Sequence, residues 1–168
     1  MKKLIILSLI ITSLFVISCK GSGGGGDSSK TTPTATTPLE GTWSATRTGG
    51  SQALVFSGSN ISMASVMVDD SSTPPVTTTL TFTGTFRLDN GNLRVTIQNA
   101  TLVANSDPAV NLTTFEQVKA YVESDGTSTF PYTKGTEFLL GAYAINGNIL
   151  TLSDSSDPSA APLTFTKQ

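Results

Sequence analysis

Leu80-Thr81-Phe82-Thr83-Gly84-Thr85-Phe86-Arg87-Leu88 decides the fold. Its even positions are apolar apart from Gly84, and its odd positions are Thr or Arg. That period of two is the mark of a half-buried strand with a threonine-rich outer face. Asp89-Asn90-Gly91-Asn92 follows. Asn-Gly readily supplies the positive φ of a tight hairpin turn. Beyond it Leu93, Val95 and Ile97 alternate with Arg94, Thr96 and Gln98, so the chain returns as a second half-buried strand.

The same pattern recurs in both directions. Gly141-Ala142-Tyr143-Ala144-Ile145-Asn146-Gly147-Asn148, followed by Leu150 and Leu152, repeats the order of glycine, aromatic, aliphatic, turn and strand. A weaker copy runs from Phe56 through Gly58 and Asn60 to Met63. Thr42 to Arg47 reads as the first strand and Leu163-Thr164-Phe165-Thr166 as the last. One segment has a different period. In Thr114-Phe115-Glu116-Gln117-Val118-Lys119-Ala120-Tyr121-Val122 the apolar Phe115, Val118 and Val122 share one helical face. Thr113 with Glu116, or Thr114 with Gln117, makes a capping box, and Asp125-Gly126 closes the helix. Recurring hairpins make an antiparallel meander, and open edges favour closure. The expected class is all-β: an antiparallel up-and-down barrel, or a strongly curled meander, of about eight strands with one short helix.

The N-terminus has a separate logic. Lys2 and Lys3 precede Leu4 to Ile17, a run broken only by Ser8, Thr12 and Ser13. Its 14 residues suit the h-region of a secretion signal and fall short of the roughly 20 that span a bilayer. Val16-Ile17-Ser18-Cys19 then resembles the lipobox of bacterial lipoproteins. The resemblance implies removal of residues 1–18 and lipidation of the Cys19 sulfur. The chain has one cysteine, so no intrachain disulfide forms. Residues 19–38 carry the lipidated Cys and a Gly/Ser then Thr/Pro tether that has nothing with which to bury a core. Such a tether reaches roughly 25 Å. Two or three acyl chains on one cysteine hold firmly, since each buried CH₂ contributes about 0.8 kcal/mol. The expected location is the cell envelope, lipid-anchored. With Lys20 rather than Asp after the cysteine, the expected membrane is the outer one.

The remainder, 39–168, is one domain by length. It resembles the lipocalin-like modules of bacterial lipoproteins in Leu39-Glu40-Gly41-Thr42-Trp43, in the Phe56/Gly58/Asn60 turn, in the Gly84–Asn92 and Gly141–Asn148 hairpins, and in the closing Leu163-Thr164-Phe165. The resemblance implies a small barrel in which Gly41 and Trp43 open the first strand and the indole packs across one barrel end. Residues 100–135 depart from that pattern and hold the helix.

Composition narrows the function. There is no histidine, the commonest general base and metal ligand. The serines lack a Ser-His-Asp set. The expectation is therefore a protein that is not an enzyme, with no cofactor and no metal. Asp69-Asp70 and Asp154/Asp157 read as solvated turns beside Ser and Pro. Without the signal, 8 basic residues stand against 12 acidic ones, net −4, with no basic stripe for nucleic acid. Two readings stay open. In one, Trp43, Phe56, Phe82, Phe86, Phe138 and Tyr143 line a pocket for a small apolar ligand; in the other, the same six fill the core. The filled form would serve as a surface interaction module (an adhesin, inhibitor or assembly subunit) that meets an envelope or host protein through loops such as 104–112.

Overall fold

A computed structural model describes residues 37–105, 110–124, 126–154, 157 and 159–168. The signal segment, Cys19 and the tether to residue 36 lie outside the described residues, as does Asp125. The strands are β1 (Gly41–Arg47), β2 (Gly50–Ser57), β3 (Asn60–Asp69), β4 (Val76–Asp89), β5 (Asn92–Ala104), the two-residue β6 (Asn111–Leu112), β7 (Glu137–Asn146), β8 (Ile149–Ser153) and β9 (Leu163–Lys167), with α1 (Phe115–Glu123) between β6 and β7.

The ladders join neighbours in chain order: β1 to β2, β3, β4 and β5, then β5 to β7, β8 and β9, all antiparallel. β9 pairs with β1 through Trp43↔Lys167 and Ser44↔Thr166, which closes an eight-stranded up-and-down barrel. β6 sits outside this cycle on β5. The expected all-β barrel with one short helix is the observed architecture.

The Leu80–Leu88 reading holds in detail. Leu80, Phe82 and Phe86 are buried, and the threonines between them face outward. Asn90 (φ 49°) and Gly91 (φ 79°) make the turn, both in the left-handed region that a tight hairpin needs. Gly84, the gap in the apolar series, is an inward position where β5 comes close. A Cβ there would lie 2.0 Å from the Thr96 carbonyl oxygen. The ladder shifts register beside it, between Thr83 and Gly84. β5 gains one residue at that point, and its inward series passes from Leu93, Val95 and Ile97 to Ala100 and Leu102. Such a bulge bends a strand and sharpens its twist.

Beyond the bulge β5 no longer runs beside β7, because that ladder covers only Asn92 to Thr96. β6, α1 and the segment up to residue 136 occupy the freed side. α1 starts as its sequence dictates. Thr114 is the N-cap, its Oγ1 accepting from Gln117 N–H at 3.4 Å, while Gln117 Oε1 accepts from Thr114 N–H at 3.2 Å. Asn99 of β5 pins the helix start: its Oδ1 accepts from Phe115 N–H at 2.8 Å and its Nδ2 donates to the Thr113 carbonyl at 3.1 Å. Phe115, Val118 and Val122 then enter the common core.

The barrel has two unlike ends. The turn end carries the tight reversals at Gly58, Asn90-Gly91 and Gly147, together with the start of β1 and the end of β9. The helix end carries the longer connections after β3, β5 and β8. At the turn end Trp43 and Leu39 are wholly buried, and Trp43 Nε1 donates to the Leu39 carbonyl at 2.7 Å. Lys167 Nζ lies 5.3 Å from the indole centroid, a cation–π contact that seals the β1–β9 seam. This is the placement across one barrel end expected for that tryptophan.

Candidate functional site

The six aromatic residues named from sequence fall into two groups. Trp43, Phe56, Phe82 and Phe86 are buried, none more than 8% exposed. Phe138 and Tyr143 are half-buried and pack against the same core. The rings touch one another. Phe56 and Phe86 meet edge to face at 5.0 Å. Phe82 meets Tyr132 at 5.2 Å and Phe130 at 6.0 Å, and Tyr132 meets Phe138 at 5.0 Å. Phe130 in turn packs on Phe115 of α1 at 5.2 Å. A continuous chain of rings thus runs from the helix into the barrel. Such contacts contribute about 0.5–1.5 kcal/mol each beyond the area they bury.

Phe130 and Tyr132 were not among the sequence candidates. They lie in an irregular segment, where neither strand nor helix periodicity marks an inward residue. Their one signal is the spacing Phe130-Pro131-Tyr132, two aromatics in an otherwise polar loop. Leu39 was missed in the same way, since it precedes the first strand.

The outer wall has a different chemistry. Across β1 to β5 the paired outward residues form rows: Ser44, Ala53, Ala64, Thr81 and Thr101; then Thr42, Val55, Ser62, Thr83 and Asn99. A third row is Thr46, Ser51, Val66, Thr79 and Val103. None of these fifteen residues is charged, and none has a side chain longer than Asn. Val55 and Val103 are 39% and 45% exposed.

Charge collects instead beside the β4–β5 turn. Glu137 takes Arg87 in a fork, Nε to Oε2 at 2.6 Å and Nη2 to Oε1 at 2.9 Å. Arg94 joins the cluster through Asp89 at 3.2 Å and Glu137 at 3.5 Å. The hydrogen bond from Arg87 holds the Glu137 carboxyl below the usual carboxylate range, with the Arg87 and Arg94 charges adding to it. Each charge here meets its opposite, so the cluster ties β4, β5 and β7 together on the outside.

The remaining acidic pairs are turn residues. Asp69 Oδ1 accepts from the backbone N–H of Ser71 at 3.0 Å, and Asp157 Oδ1 accepts from that of Ser159 at 3.0 Å. Among the described residues no group of three His, Cys, Asp or Glu side chains is placed to hold a metal ion. Also among them, no helix is long and apolar enough to cross a membrane. Comparison with protein-family models, with curated proteins and with solved structures gives no match.

Proposed function

We propose that the chain is a lipid-anchored envelope protein whose barrel acts as a surface interaction module with a filled core. One observation supports the second half of this reading. Trp43, Phe56, Met63, Leu80, Phe82 and Leu150 are each at most 1% exposed, so water has no access to them from outside or from an internal void. A ligand inside would have to displace ring contacts already made at 5–6 Å. Recognition then falls to the exterior: the uncharged wall of β1–β5 and the connections at the helix end. Rigid scaffolds commonly carry function on such loops.

The first half rests on Lys2, Lys3, the apolar run to Ile17 and the Cys19 that ends it. The tether would hold the domain clear of the headgroups, with the outer membrane as the destination. No catalytic role belongs to this reading.

Two measurements test it. Radiolabelled palmitate is expected to mark the wild-type chain and not Cys19→Ser, which should also leave the membrane fraction; an unlabelled wild type defeats the anchor. Native mass spectrometry of the protein taken from membranes is expected to give only the mass of the lipidated chain. A second, non-covalent lipid released on activation would replace the filled-core reading with a ligand-carrying barrel.

A further inference from the structure

The inward face of β1–β3 changes character towards the helix end. Near the turn end it presents Trp43, Leu54 and Met63, all buried. Continuing the same alternation, it presents Arg47, Gly50, Gln52, Ser65 and Met67, with Gln52 facing Ser65 and Gly50 facing Met67 across the ladder. Gly50 is bare of necessity: a Cβ there would stand 2.0 Å from the Val66 carbonyl oxygen. A cleft of about 210 Å³ lies beside it, bounded by residues 47–52 and 65–68.

Three features of this cleft point to a ligand. Arg47 on the rim is exposed and makes no ion pair among the described residues. Ser65, only 3% exposed, lines the cleft beside Gln52 and brings a hydroxyl to its wall. Half-buried Met67 gives the cleft an adaptable apolar wall. The space is also short. Behind it Leu54, Met63 and Leu80 fill the barrel, at 4%, 1% and 0% exposed.

We infer that this cleft binds the C-terminal residue of a partner polypeptide, one ending in a small apolar side chain. Arg47 carries the planar fork that suits a terminal carboxylate. Ser65 offers a hydroxyl that can both donate to and accept from the peptide group preceding it. Met67 provides the surface for the side chain. A cavity of about 150 Å³ holds a benzene, so this space suits one acylated amino acid. A fatty acid fits worse, because its tail would meet the filled barrel behind the cleft. The inference rests on the interaction-module reading in requiring a polypeptide partner.

The test titrates the ¹⁵N-labelled full chain with N-acetylvaline, N-acetylvalinamide and hexanoate, following the amides of Gly49 and Gly50. N-acetylvaline is expected to shift both saturably. The amide, which lacks the charge, should bind at least about tenfold more weakly, a difference of about 1.4 kcal/mol. Arg47→Gln should cost N-acetylvaline a similar factor, Arg47→Lys less, and Ser65→Ala should weaken binding with the fold intact. Equal response to acid and amide, or an unchanged response in Arg47→Gln, overturns the inference. No response to N-acetylvaline overturns it alone and leaves palmitate labelling and native mass untouched. Tighter binding of hexanoate overturns it and speaks for a lipid carboxylate.

Discussion

The indole N–H of Trp43 reaches back four residues to the carbonyl of Leu39, at 2.7 Å, where both residues are fully buried. This bond folds the approach to β1 across the turn end and satisfies two polar groups that have no water. Trp43→Ala should therefore cost roughly 3–5 kcal/mol. Trp43→Phe keeps most of the ring but strands the Leu39 carbonyl, at about 1–3 kcal/mol. Urea denaturation followed by far-UV circular dichroism measures both, and equal stability of Trp43→Phe and wild type would deny the bond any weight.

Gly84 faces the bulge in β5 with no room for a methyl group, since the nearest atom would be the Thr96 carbonyl oxygen at 2.0 Å. Main chain cannot swing aside as a long side chain does. Gly84→Ala should destabilise by at least about 1–3 kcal/mol through forced backbone movement. The control is Gly58→Ala, where a Cβ meets nothing within 4 Å and only the φ of +60° is unfavourable. Thermal unfolding should rank Gly84→Ala well below it.

Asn99 joins the wall to the start of the helix, donating to Thr113 and accepting from Phe115. Asn99→Ala should leave the Phe115 N–H without its partner and cost about 1–3 kcal/mol. Hydrogen exchange is expected to speed up first in residues 114–123, with the β1–β4 amides protected as before. Uniform acceleration over the whole chain would show that helix and barrel open as one unit.

The Glu137 carboxyl titrates lower in the folded protein than in the unfolded chain because Arg87 hydrogen-bonds its ionised form. The folded state therefore binds this proton less readily. Its contribution to stability is present above the ordinary glutamate range and is lost as the pH falls through the lower folded value. Glu137→Gln should be less stable than wild type at neutral pH, and the two should converge in acid. High salt should narrow the gap, since both partners are about a third or more exposed. A gap that widens on acidification would reverse the assigned sign.

Most of the barrel is legible in alternation and turn chemistry. The Leu80–Ile97 and Tyr143–Leu152 hairpins, the helix at 115–122 and the closing strand at 163–166 all lie where the residue pattern puts them. The outer half of β5 was hidden because the bulge at Gln98 reverses its inward phase, so Ala100 and Leu102 fall out of step with Ile97. A period-of-two reading stops at such a slip. β7 slips likewise between Gly141 and Leu139 against β5, and buried Leu140 is its extra residue. The cleft was hidden for another reason. Arg47, Gln52 and Ser65 are polar residues at inward positions of the alternation, Arg47 exposed on the rim and the other two buried, and along one strand they simply blur the pattern. Only the β1–β3 register places them together.

The first and last strands lie side by side, with Trp43 paired to Lys167 and Gln168 N–H donating to the Thr42 carbonyl at 2.9 Å. The order of the chain is thus nearly cyclic. A short linker from Gln168 to Leu39, with new termini cut at Asn90-Gly91, would give a circular permutant that keeps every strand pairing of the barrel.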